Sequence, residues 1–191
     1  MENKNRNYKR IDKLIVDTFI ELCKNKKADD ITVALLCDKA DINRTTFYNH
    51  YQGIWEIINA IENEIISKID QVLNDFSYFV FIKEPYPTLS KLNDIINEKP
   101  DFYKELFQLS YSHFFIDKLK EIFRNKILES PSIPKSFTSS IQGQITISIF
   151  IGSLTNSYSD WFSQNINCSL DDITKQISEF IKRTAPIMDI K

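Results

Sequence analysis

The sequence predicts an all-α protein, and three observations carry that prediction. Glycine is scarce, with only Gly53, Gly143 and Gly152. The six prolines sit at 85, 87, 100, 131, 134 and 186, leaving long runs free of both helix breakers. Apolar residues recur at three- and four-residue intervals along most of the chain, amid abundant Ile, Leu, Lys and Glu. At 191 residues, with 42% hydrophobic and 26% charged side chains, the chain has ordinary globular composition. It is long enough for a real core in one or two domains, and disorder is excluded.

About nine helices follow in order. Ile11, Leu14, Ile15, Phe19 and Leu22 mark one face of a first helix over residues 7–24. The polar stretch 25–30 interrupts it. Thr32 suits an N-cap, because its hydroxyl can accept an orphan backbone N–H. Val33, Leu36, Cys37 and Ala40 then give a short second helix. After the turn Asp41-Ile42, Asn43 is the next N-cap candidate. A third short helix runs from there to Tyr51, anchored inward by Phe47 and Tyr51. Ile54, Ile57, Ile58, Ile61, Ile65, Ile69, Val72, Leu73 and Phe76 hold one stripe on a long fourth helix, which fades before Pro85 and Pro87. Thr88 to Glu98 reads as the fifth. Pro100 suits the first turn of the sixth, which extends to about Tyr111, and Phe115 to Leu128 gives the seventh. Residues 129–136 form the clearest loop. From 137 to 163 apolar residues cover more than one face, so this helix must be buried on several sides, and a subunit interface accounts for it. Ser169 with Asp172 forms a capping pair for the last helix, whose stripe runs through Ile173, Ile177, Phe180 and Ile181 to Met188.

Composition narrows the function classes. Three scattered glycines exclude a Gly-rich phosphate loop, and no cofactor motif is present. Cys23, Cys37 and Cys168 are odd in number and widely spaced, against a disulfide framework or a metal knuckle; buried thiols in a reducing cytoplasm fit better. The first residues lack the apolar stretch of a secretory signal, and no run of about 18 apolar residues could span a membrane. His113 and Asp117 stand at i, i+4, but two ligands make no metal site. No nucleophile or acid–base set suggests an enzyme. Net charge is −2, yet residues 1–13 hold five basic against two acidic side chains. A basic leading edge on an acidic body permits nucleic acid at one end.

Two short helices joined by a tight turn, after a longer amphipathic one, have the proportions of a DNA-reading helix-turn-helix. Arg44, Thr45, Thr46, Tyr48, Asn49 and His50 fall on faces not needed for packing, and all can hydrogen-bond to phosphates or base edges. The stretch from Thr32-Val33 through Ala40-Asp41-Ile42-Asn43-Arg44-Thr45-Thr46-Phe47-Tyr48-Asn49-His50-Tyr51 resembles the TetR family of bacterial transcriptional regulators. The likeness covers residues 7 to about 60. The ending, Ile151-Gly-Ser-Leu through Asp160-Trp161-Phe162 and Cys168-Ser-Leu-Asp-Asp, is similar to a subgroup related to the dihydroxyacetone-kinase operon activators.

The resemblance implies a helix-turn-helix domain over residues 1–53, with the motif at about 33–52, and a regulatory and dimerisation domain over 54–191. It implies that Thr32, Tyr48 and His50 meet the phosphate backbone and that Asn43 holds the small polar capping position. Arg44, Thr45 and Asn49 are the candidates for base edges, and Thr46 matches the family's threonine. Three departures stand out. The family's turn glycine is Asp41, which tolerates left-handed torsions. The usual glycine after the first helix is replaced around Lys27-Ala28. The lysine that often opens the fourth helix is Ile54, which removes one expected phosphate contact.

Partners follow in the same way: double-stranded DNA, and a second copy through the helices at about 137–163 and 169–188. A small apolar effector is expected at Phe107, Tyr111, His113, Phe114, Ser148 and Gly152, where aromatics cluster with a few polar or small residues; an ordinary aromatic core is the competing account of that cluster. The function expected is a homodimeric repressor on a palindromic operator, relieved by the effector. The alternative is a regulator or activator working through a kinase-like protein partner.

Overall fold

The computed structural model describes residues 2–74, 77–108 and 112–184. Among the described residues are eleven α-helices, one 3-10 turn and no strand. The chain divides into two compact units, Met1–Ile65 with Pro100–Leu109, and Ile66–Lys99 with Ser110–Lys191.

The first unit contains α1 (Glu2–Cys23), a 3-10 turn (Ala28–Asp30), α2 (Val33–Ala40), α3 (Arg44–Tyr48), the first part of α4 (Ile54–Val72) and, from later in the chain, α7 (Pro100–Gln108). It thus takes in residues 1–53 and adds parts of α4 and α7. Its core is made by one side chain or pair from each helix: Ile15 and Phe19, Leu36, Phe47, Ile57 and Ile58, and Leu106, all at most 1% exposed. Phe102 of α7 meets Phe19 of α1 edge to face, with ring centroids 6.4 Å apart. Burying each such side chain is worth about 1.5–3 kcal/mol, so these short helices are held by packing rather than by helix propensity.

The second unit contains the rest of α4, α5 (Tyr78–Lys83), α6 (Pro85–Glu98), α8 (Ser112–Glu129), α9 (Lys135–Thr138), α10 (Ile141–Phe162) and α11 (Leu170–Thr184). Tyr78, Phe81, Leu89, Ile127, Ile147, Ile151, Leu154, Ile173, Ile177 and Ile181 form its core. A buried polar knot crosses that core. Asn93 Nδ2 donates to Thr174 Oγ1 at 2.6 Å, and the Tyr158 hydroxyl donates to Asn93 Oδ1 at 3.1 Å. Each group has a partner, as burial requires.

The two helices beyond the expected nine, α5 and α9, are one-turn pieces in stretches read as a fading helix end and a loop. Pro85 opens α6 three residues earlier than expected, because a proline at the first helical position lacks only an N–H that would be unpaired anyway. The Ser169–Asp172 pair forms as expected. Asp172 N donates to Ser169 Oγ at 3.0 Å, and Ser169 N donates to Asp172 Oδ2 at 3.2 Å. The Ser169 bonds hold the Asp172 carboxyl below its usual range. Along α10, Ile141, Ile145 and Ile149 stand 78%, 55% and 64% exposed, so one apolar face of this helix has no cover among the described residues. Gly143 is required by its own upstream turn: a Cβ there would lie 1.9 Å from the Phe137 carbonyl oxygen.

Candidate nucleic-acid interface

The turn between α2 and α3 is fixed by three local devices. Thr32 Oγ1 accepts the Leu35 N–H at 3.2 Å and starts α2. Asp41 closes α2 in the left-handed region, at φ 52° and ψ 47°, where an aspartate is tolerated better than most side chains. Asn43 Oδ1 accepts the Thr46 N–H at 2.7 Å and starts α3. Both capping side chains keep donors in hand, the Thr32 hydroxyl proton and the Asn43 amide.

α3 is only five residues long, and the His50 and Tyr51 N–H groups still donate to the Phe47 carbonyl, at 2.9 and 3.0 Å. Phe47 is fully buried beneath it, with the Tyr48 ring edge-on at 5.4 Å. Arg44, Thr45, Tyr48 and Asn49 are exposed, Tyr48 by 51%, and Thr46 is half-buried. Four of the expected contact residues therefore form one polar outer flank, with Thr32 and Asn43, both exposed, at the two helix starts.

His50 departs from the expectation that it lies on a face not needed for packing. Its side chain is 5% exposed. The ring stacks on Tyr8 of α1, with centroids 4.0 Å apart and planes within 20°. Its Nδ1 lies 3.5 Å from Asp12 Oδ1 and makes no hydrogen bond. Asp12 also accepts from the buried Tyr51 hydroxyl; burial first, and that carboxylate second, push the phenol's pKa up. His50 and Tyr51 thus fasten the end of α3 to α1. Nothing in the sequence near His50 signals this, because its partners lie some forty residues upstream.

At the start of α4, Ile54 is half-buried and Trp55 is 56% exposed. Glu56 Oε2 accepts the Gln52 N–H at 2.5 Å. The position where the family pattern has lysine offers no charge.

The residues expected around an effector are not gathered into one described site. Phe107 is half-buried in the first unit; Ser148 is exposed and Gly152 half-buried in the second. Tyr111 lies outside the described residues, as do the side chains of His113 and Phe114. Of the other aromatics in that cluster, Phe102 and Tyr103 are buried core residues. Two clefts in the second unit were not foreseen. One, of about 510 Å³, is lined by Lys68, Gln71, Thr88, Lys91, Ile95 and Glu98 among others, with Lys68 paired to Glu98. The other, of about 330 Å³, lies between α10 and α11 and is mainly apolar, lined by Leu154, Ile166, Ile177 and Phe180 among others. Among the described residues no group of three or more His, Cys, Asp or Glu could hold a metal, and no helix is long and apolar enough to cross a membrane.

Comparison with known proteins identifies the family and the fold. A TetR C-terminal family model, described as "Transcriptional regulator C-terminal region", matches residues 83–183, a little over half of the chain. Over 121 residues the chain is 27% identical to the HTH-type dhaKLM operon transcriptional activator DhaS of Lactococcus lactis subsp. lactis (strain IL1403), a match that spans 61% of this chain and 60% of that relative. Three solved structures share the fold. The dihydroxyacetone kinase operon activator DhaS has a TM-score of 0.61 at 19% identity, covering 89% of this chain and 93% of that one. A TetR transcriptional regulator from Streptococcus agalactiae 2603V gives 0.64 at 16%, covering 94% and 98%. A TetR-family regulator from Syntrophomonas wolfei str. Goettingen gives 0.71 at 14%, covering 96% and 99%.

Proposed function

The chain belongs to the TetR family of transcriptional regulators, a family of regulators rather than enzymes, and from that premise we propose that it is a homodimer that reads a palindromic operator with α3. The observation that carries the reading is the two-sidedness of α3. Phe47 is wholly buried, while Arg44, Thr45, Tyr48 and Asn49 stand outward in a row. In this reading Arg44, Thr45 and Asn49 reach base edges, and Thr32, Tyr48, Asn43 and Thr46 secure the backbone. His50 acts from behind, holding α3 in place through Tyr8.

The uncovered Ile141, Ile145 and Ile149, with Phe180 at 49% exposure on α11, support pairing of two copies through α10 and α11. Twofold symmetry then sets the half-sites about one helical turn apart, ~34–36 Å. α4 belongs to both units as one continuous helix. It gives an effector held in the second unit an element through which to move the head. The effector must bind the DNA-competent and incompetent states with different affinity, or nothing shifts. Of the residues expected around a small apolar effector, Ser148 and Gly152 lie in the second unit and remain the proposed place for it there.

The direction of control has two readings. Repression relieved by an effector is the first. The second, activation through a protein partner, draws on the two DhaS relatives, both named as operon activators. Deleting the gene and measuring transcription of its neighbours separates them: transcription rises in the first case and falls in the second. The test of DNA reading itself is selection of binding duplexes from a random library by the full chain. Enrichment of a two-half-site sequence is expected, and Arg44→Ala should relax sequence preference more than Tyr48→Phe does. No enriched sequence would refute the reading.

A further inference from the structure

We propose that the cleft of about 510 Å³ among α4, α5 and α6 is a second effector site, for a small organic dianion that brings one oxyanion to Lys91 and the other to Lys68. Its lining lies wholly in the second unit. Its use in control rests on the DNA-binding reading above; the binding itself does not. The helical registers place the polar groups on the cleft walls. Lys68, Gln71 and Val72 stand at i, i+3 and i+4 on α4. Thr88, Lys91, Ile95 and Glu98 follow at three- and four-residue steps on α6. Ser77 precedes α5, where its hydroxyl caps nothing. Phe81 and Ile95 are buried and give the cleft apolar backing. Apolar walls with a few placed polar groups are what a small-molecule site needs.

The class of ligand follows from which groups are already engaged. Among the described residues, no side-chain hydrogen bond or ion pair takes up Gln71, Ser77, Thr88 or Lys91. All four carry donor hydrogens, and the one acid among the described lining residues is Glu98. Glu98 Oε2 accepts from Lys68 Nζ at 2.5 Å, so a carboxylate of the chain itself already sits on a lysine of this cleft. Lys91 precedes Glu98 by seven residues on α6, about 10 Å along the axis, and has no such counter-ion. Two cationic positions about two turns apart suit a short carbon chain with an oxyanion at each end, and Gln71, Ser77 and Thr88 can donate to oxygens between them. Such a ligand displaces Glu98 from Lys68. That pair is partly exposed, the side chains at 32% and 50%, so its loss costs little. The ligand then rests on Lys68 and Gln71 of α4, the helix common to both units.

The test titrates the full isotope-labelled chain, at constant ionic strength, with adipate and with fructose bisphosphate. Acetate and glucose are the singly charged and uncharged controls. Backbone amide shifts over residues 68–72, 77–81 and 88–98 should saturate with one or both dianions and not with the controls; which dianion binds tells a dicarboxylate from a phosphate ester. Lys91→Gln and Lys68→Gln should each weaken binding about fivefold, the effect of one unit charge at about 4 Å in water. Glu98→Gln removes the internal competitor and should tighten binding by a similar factor, which a merely structural Glu98 would not do. No saturating shifts, equal shifts with acetate or glucose, or unchanged affinity in both lysine variants overturns the site. In a second arm, saturating dianion should change the affinity of the chain for the selected duplex about fivefold or more, read by anisotropy. An unchanged affinity overturns the role in control. A chain that binds no duplex overturns the DNA reading, and the first arm alone then decides the site.

Discussion

Asn43 separates what holds α3 together from what α3 touches. Its Oδ1 accepts the Thr46 N–H at 2.7 Å, at the start of a helix only five residues long. Asn43→Ala leaves that N–H unpaired and should cost about 1 kcal/mol, within the usual 0.5–2 kcal/mol for a lost N-cap. In a small unit this lowers the melting temperature by several degrees. Asn43→Asp keeps the cap and adds a charge that the helix N-terminus favours, so stability should hold or rise slightly. On the DNA-binding reading the same aspartate sits against phosphates. One like-charge contact at about 4 Å in water costs about 1 kcal/mol. Two subunits then lose about 2 kcal/mol, roughly thirtyfold in affinity. Thermal unfolding by circular dichroism measures the first effect, and anisotropy with the selected duplex measures the second. If Asn43→Asp binds DNA as the wild type does, the start of α3 does not face the backbone. If both variants lose stability alike, the carboxylate has not replaced the cap.

Three further outcomes follow from the second unit. Burial pushes the Tyr158 phenol up to about 12. A phenol whose folded pKa is raised contributes fully below its unfolded value near 10, and that contribution is lost as pH climbs through 12. Wild type should therefore lose about 3 kcal/mol over pH 10–12 that Tyr158→Phe does not, as read by urea unfolding. The same variant should cost about 1 kcal/mol at neutral pH, because Asn93 Oδ1 loses its donor. Ile145→Lys with Ile149→Lys, placed on the exposed face of α10, should leave helicity unchanged and convert a dimer to monomer by sedimentation; a dimer that persists would move the interface elsewhere. Gly143→Ala forces the Phe137 turn aside and should cost about 1–3 kcal/mol in thermal unfolding.

Most of the reading head was legible in the sequence because its determinants are local. Thr32, Asn43 and Asp41 each act within three or four residues of themselves, and so does the Ser169–Asp172 pair. Phe47 was legible for another reason: on a five-residue helix one large apolar side chain must point inward. The orientation of His50 was not legible, because the groups that claim its ring are Tyr8 and Asp12 on another helix. Phe102 shows the same limit. It belongs to an aromatic run that resembles a ligand pocket, yet it packs on Phe19, more than eighty residues away. The short α5 and α9 escaped because a single turn carries too few apolar repeats to show a period.

The size of α3 explains why so many of its neighbours serve it. Five helical residues cannot nucleate or persist alone in water, and on the DNA-binding reading their outer flank must stay polar to meet a duplex. Stability has to come from side chains that never reach the DNA. Phe47 lies beneath, Asn43 starts the helix, and Tyr51 and His50 tie its end to Asp12 and Tyr8. A contact residue positioned by such support loses its geometry when the support goes, even though no contact has been removed. On the DNA-binding reading, His50 and Tyr8 therefore belong to the interface as much as Arg44 does: Arg44 would choose the sequence, and the stacked pair would decide where Arg44 stands.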